Sequence, residues 1–145
     1  MKNKGLVRTV SEAVLLVLSL VLAFGTMFVF HACGAKDDGT FMNCHNAQMR
    51  VVWFGAGSAL LSIAMMIFGK AEKVAGKAIT LVIQAVQAVI AIDAMLTPQV
   101  IVHMCMMNDM RCQAIMRPSV IVVCALILCA AAVHTVSLVR EMKSK

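Results

Sequence analysis

The chain has 145 residues, 61% of them hydrophobic and 14% charged, with a formal net charge of +6. A soluble domain carries about a quarter charged residues, so this composition excludes an ordinary soluble fold. Most of the basic residues sit in the tails and one short turn, which argues against a nucleic-acid-binding surface and leaves a lipid bilayer as the partner.

In chain order, the first apolar run is Ala13–Phe30, preceded by Lys2, Lys4 and Arg8. Its 18 residues exceed the usual signal-peptide core of about 7–15, so it is expected to be an uncleaved helix. A polar loop, His31–Arg50, follows, with a solvated turn at Lys36-Asp37-Asp38-Gly39. The second run is Val51–Gly69, and its Gly55-x-x-x-Ala59 permits close backbone approach. A turn containing Lys70, Lys73 and Lys77 leads to the third run, Ala78–Thr97. The next loop, Pro98–Pro118, is bracketed by prolines that can end one helix and begin another. The last run, Val120–Val139, precedes a basic tail. Runs of 18–20 residues at 1.5 Å each reach about 27–30 Å, the thickness of a hydrocarbon core. The predicted fold is an all-α membrane protein of four transmembrane helices, a single four-span domain over 1–145.

Nine of the 13 Lys and Arg residues lie in the tails and middle turn, and four in the two polar loops. The positive-inside rule then places both termini in the cytoplasm and both polar loops outside. Those loops share a signature. His31-Ala-Cys33, Met42-Asn-Cys44 and Met49-Arg50 return as His103-Met-Cys105, Met110-Arg-Cys112 and Met116-Arg117, at offsets of 72, 68 and 67. The pattern predicts two parallel helix–loop–helix repeats, about 9–69 and 78–139.

Cys33, Cys44, Cys105 and Cys112 lie in the polar loops, where an oxidising compartment favours disulfides, and three pairings are open. Catalytic dithiol chemistry has less support, since no C-x-x-C spacing is present. Cys124 and Cys129 are five apart in the last span, do not share a helix face, and are expected to pack as apolar residues. The loops also hold seven of the 13 methionines, where even scatter would put about four. Thioether and imidazole groups from His31, Met42, His45, His103, Met104, Met106, Met107 and Met110 could hold Cu or Fe. Haem between His31 and His103 is a further option, and methionines that merely cap the bundle are the plain alternative.

Within the spans, Gln84 and Gln87 share one face of helix three and are expected to act as interhelical hydrogen-bond glue. Asp93, about one turn below the end of that helix, is either a functional intramembrane carboxylate or an interfacial ion pair holding the bundle together, with Arg50 or Arg117 as its plausible partner. Glu12 and His134 lie near the cytoplasmic ends of their spans, where they are expected to reach headgroups or water, and neither is given a role.

Four spans with Cys33…Met42-Asn-Cys44-His45 in one loop and Cys105…Met110-Arg-Cys112…Pro118 in the other resemble a family of small bacterial membrane proteins. It is the domain-of-unknown-function family four-four-one-eight. The resemblance covers nearly the whole chain. It implies a bacterial inner-membrane protein beside an ABC transporter with a MacB/FtsX-type permease, with metal, often iron, handling as the theme. No catalytic residue carries over. In topology alone the arrangement is also similar to quinone-linked disulfide oxidoreductases, but it lacks their C-x-x-C after the first helix. The expected function is a non-enzymatic accessory subunit of a membrane transport system, with a permease as partner and two disulfide-braced Cys/Met/His loops. A membrane thiol–disulfide or haem redox protein is the alternative, and a small self-contained channel has only Asp93 and the glutamines behind it.

Overall fold

The computed structural model describes residues 2–30, 43–68, 74–101 and 112–143. All of these are helical apart from Phe30. α1 spans Lys2–Phe24 and continues as a π turn over Gly25–Val29. α2 spans Asn43–Phe68. α3 spans Val74–Leu96 and runs on through a π turn at Thr97–Ile101. A π turn at Cys112–Met116 leads into α4, Arg117–Lys143. All four helices are long and apolar enough to cross a membrane.

The four pack as a ring in which α1 meets α2 and α4, and α3 meets the same two, with α1–α2 the most extensive interface. Side-chain pairing shows the α1–α2 contact to be antiparallel, because Ser19 meets Ser58 while Thr26 meets Gln48. Buried positions recur at alternating steps of three and four. On α1 they are Glu12, Leu15, Ser19, Leu22 and Thr26; on α3 they are Thr80, Gln84, Gln87, Ala91 and Ala94. That 3.5-residue period is the spacing of left-handed bundle packing. The opposite faces are apolar and exposed, as at Val17, Leu60, Val82, Val89, Val122 and Val133. A helix that is apolar on its outer face is solvated by lipid.

Gly55 sets the closest approach. A Cβ there would come within 2.7 Å of the Ala23 amide nitrogen, so α2 can lie against the α1 backbone only without a side chain at this position.

The helices exceed the apolar runs. α1 begins at Lys2 rather than Ala13, and α2 begins at Asn43, so residues 43–50, expected in the first loop, form two helical turns. Hydropathy marks only the stretch inside hydrocarbon, whereas Asn43–Arg50 contains no glycine or proline to stop a helix. Pro98 does not end helix three. It sits inside the Thr97–Ile101 π turn, whose wider winding accommodates the ring and the missing N–H. Thr97 Oγ1 donates to the Asp93 carbonyl at 2.7 Å, satisfying a backbone acceptor near the proline. Pro118 is the second residue of α4, two positions after the Cys112–Met116 π turn, where a proline is tolerated in the first turn of a helix.

Candidate functional site

Three groups of polar side chains occupy the bundle. The first lies at the loop end, where the chain enters and leaves the two polar loops. Gln48 Nε2 donates to the Thr26 carbonyl at 2.9 Å, tying the start of α2 to the end of α1. Thr26 Oγ1 in turn caps the carbonyls of Leu22 and Ala23. Cys44 and Met116 are fully buried in the same hydrophobic core. The Phe30 N–H donates to the Gly25 carbonyl at 2.6 Å, closing the π turn. The π turns of α1 and α3 begin at Gly25 and Thr97, 72 residues apart, which is also the offset between His31 and His103.

The second group lies deeper. Gln87 Nε2 donates to Ser58 Oγ and Ser62 Oγ, each at 2.9 Å. Ser58 Oγ lies 2.8 Å from Ser19 Oγ, and Ser19 donates to the Leu15 carbonyl at 2.8 Å. Ser62 donates to the Ser58 carbonyl at 3.0 Å. Each hydroxyl therefore has an acceptor for its proton, and the directed chain Gln87–Ser58–Ser19 joins α3, α2 and α1. Interhelical hydrogen bonds of this kind contribute about 0.6 kcal/mol each on average. Gln87 Oε1 and both amide atoms of Gln84 have no hydrogen-bond partner among the described residues, although they are buried.

The third group lies toward the chain termini. Arg8 Nε donates to Glu12 Oε1 at 3.1 Å within α1, and His134 Nε2 of α4 stands 3.5 Å from the same oxygen. Glu12 is buried and His134 wholly so; among the described residues neither ring nitrogen of His134 has a hydrogen-bond partner, Nε2 being within ion-pair distance of Glu12 alone. The expectation that they reach headgroups or water is corrected. Both fall on the inward stripe and face each other across the α1–α4 interface. Arg8, four residues before Glu12, provides the compensating charge. The signal was present in the spacing, since Glu12 lies three and seven residues before Leu15 and Ser19.

The other singled-out residues distribute as follows. Gln87 is hydrogen-bond glue as expected, and Gln84 is not. Asp93 is exposed and forms no ion pair with either arginine. Arg50 is exposed, and Arg117 Nη1 donates to Gln113 Oε1 at 3.2 Å. Thr97 and the extended helix put Asp93 two turns below the described end of α3 rather than one. His45 is half-buried beside buried Cys44. Cys124 is buried and Cys129 exposed, in keeping with their different faces. His31, Cys33, Met42, His103, Met104, Cys105, Met106, Met107 and Met110 lie outside the described residues, and Cys112 is described in its backbone alone. Cys44, Cys124 and Cys129 form no disulfide with one another. Among the described residues, no three His, Cys, Asp or Glu side chains gather as a metal site.

An up-and-down ring of four membrane-spanning helices with a polar interior and an apolar exterior defines a small multi-pass membrane protein. More narrowly, the chain belongs to the family described as Domain of unknown function (DUF4418), whose model matches residues 15–137. Comparison with curated proteins and with solved structures gave no match.

Proposed function

We propose that this protein is a non-enzymatic accessory subunit of a bacterial inner-membrane transport system, ABC-type and handling a metal or metal complex. Both termini face the cytoplasm, and the Cys/Met/His loops outside, braced by disulfides, are its working surface. The observation that carries this reading is the pinned loop end. Three of the four described loop bases are anchored, the end of α1 and the start of α2 through the Gln48–Thr26 bond and buried Cys44, and the start of α4 through buried Met116. A helical scaffold that holds the start and end of a loop in place suits recognition of a metal complex or a permease by residues of that loop. The equal offset of the two π turns and the two histidines supports a pair of equivalent loops. The nine-to-four distribution of basic residues supports the orientation.

Isolation of the tagged protein from its native membranes in mild detergent tests the reading. Stoichiometric recovery of a permease, with a metal-transport defect on deletion, is expected. A protein that always purifies alone and whose deletion leaves transport intact would overturn it. Quinone-dependent cycling of Cys33/Cys44 against Cys105/Cys112, or a Soret band lost on His31 or His103 replacement, would instead establish the redox alternative.

A further inference from the structure

Between α3 and α4 a groove of about 410 Å³ opens on the lipid-facing side, with Gln84, Ala85 and Ala88 on one wall and Ala131, Ala132 and Thr135 on the other. Gln84 is 3% exposed, and neither its amide nitrogen nor its oxygen has a partner among the described residues. It lies eight residues from Gly76, about 12 Å along the span, below the reach of lipid headgroups. Acyl chains offer no hydrogen bonds there, so the carboxamide needs a protein partner. The alanines allow a helix backbone to approach closely. α3 and α4 are also the least covered helices, with 28% of each span buried against 39% for α1.

We propose that this groove is a self-association surface filled by the same groove of a second copy, in which the two Gln84 carboxamides exchange a reciprocal pair of hydrogen bonds. A carboxamide is both donor and acceptor and is therefore its own complement. A two-fold axis beside Gln84 satisfies both atoms of both side chains without any other residue, once each amide has rotated into the groove. An isologous contact of this kind closes on itself and stops at a dimer. The surface is independent of the accessory role and of the loops.

Two measurements test it. In native membranes with loop thiols capped beforehand, Ala85→Cys and Ala88→Cys are oxidised and the linked peptides mapped by mass spectrometry. Links between equivalent positions of two copies are expected. Cys129, exposed in the groove between α1 and α4, is the internal control. Links through Cys129 alone, links to a different protein, or no links would overturn the proposal. Energy transfer between labelled copies in liposomes then compares the native chain with Gln84→Leu. Self-association about tenfold weaker is expected, equivalent to about 1.4 kcal/mol. Equal association of the two, or a native chain that stays monomeric at every density, would overturn it. Loss of fold is excluded as the cause if monomeric Gln84→Leu keeps its melting temperature.

Discussion

At the loop end the inward positions are mostly apolar, Leu22, Val51, Ala91, Ala94 and Val120, with the Gln48–Thr26 bond among them, whereas toward the chain termini Ser19, Ser58, Ser62, Gln84, Gln87, Glu12 and His134 interrupt Leu15, Met65, Ile127 and Leu138. The backbone period is the same in both regions, yet the loop end coheres chiefly through close packing, and the other carries a connected set of side-chain hydrogen bonds and an ion pair. In hydrocarbon, apolar burial gives helices little reason to associate, because lipid tails are as apolar as leucine. Small side chains and polar pairs do that work. The difference teaches that register in this bundle is set by its polar half, since a one-residue slip would leave Gln87 or Glu12 unpaired in lipid. The tightly packed half then holds the loops.

The contrast is broken most severely by removing Glu12. Glu12→Leu leaves His134 and the Arg8 guanidinium without their shared carboxylate, and a loss of about 3 kcal/mol is expected. Unfolding in detergent measures it; an unchanged midpoint would show that the cluster does not hold α1 to α4. Next comes Gly55→Val, which drives a side chain into the Ala23 backbone and should cost about 1–3 kcal/mol. The same assay reads it, and a neutral result would mean that α1 and α2 separate without penalty. Gln87→Leu removes two interhelical donors to the serines and should cost about 1 kcal/mol, with Ser58→Ala in the same background adding less than it does alone. Full additivity in that cycle would argue against a connected network. The smallest loss is expected at Asp93→Asn, which should be neutral or mildly stabilising, because Asp93 lies on the outer face of its span and forms no ion pair among the described residues. A large loss would restore the partnership with Arg50 or Arg117.

Much of this architecture is readable from residue order, for reasons that also explain what is not. Four apolar runs identify the spans because the bilayer imposes one length on all of them. The helix ends escape that logic, since Asn43–Arg50 and Thr97–Ile101 are helical beyond the apolar runs. Proline is a poor stop signal where a π turn can absorb it, as at Pro98. Gln87 is identifiable as glue because its face could be phased, but its partners Ser58 and Ser62 look unremarkable in an apolar stretch. Glu12 and His134 are 122 positions apart, and only the ring closure of α1 on α4 makes them neighbours. Asp93 shows the converse, a conspicuous carboxylate that faces away from the core. The outer loops are where the sequence carries the densest chemistry, and their ligand-bearing residues fall largely outside the described helices.

The central claim is that these loops are disulfide-braced elements mounted on a pinned scaffold. The most direct test is the intact mass of protein purified from membranes without reductant, after complete alkylation of free thiols under denaturing conditions. Two labels are predicted, one each on Cys124 and Cys129, with Cys33, Cys44, Cys105 and Cys112 protected in two bridges. More than two labels, and six above all, would contradict the bracing and turn the loops over to metal or redox chemistry.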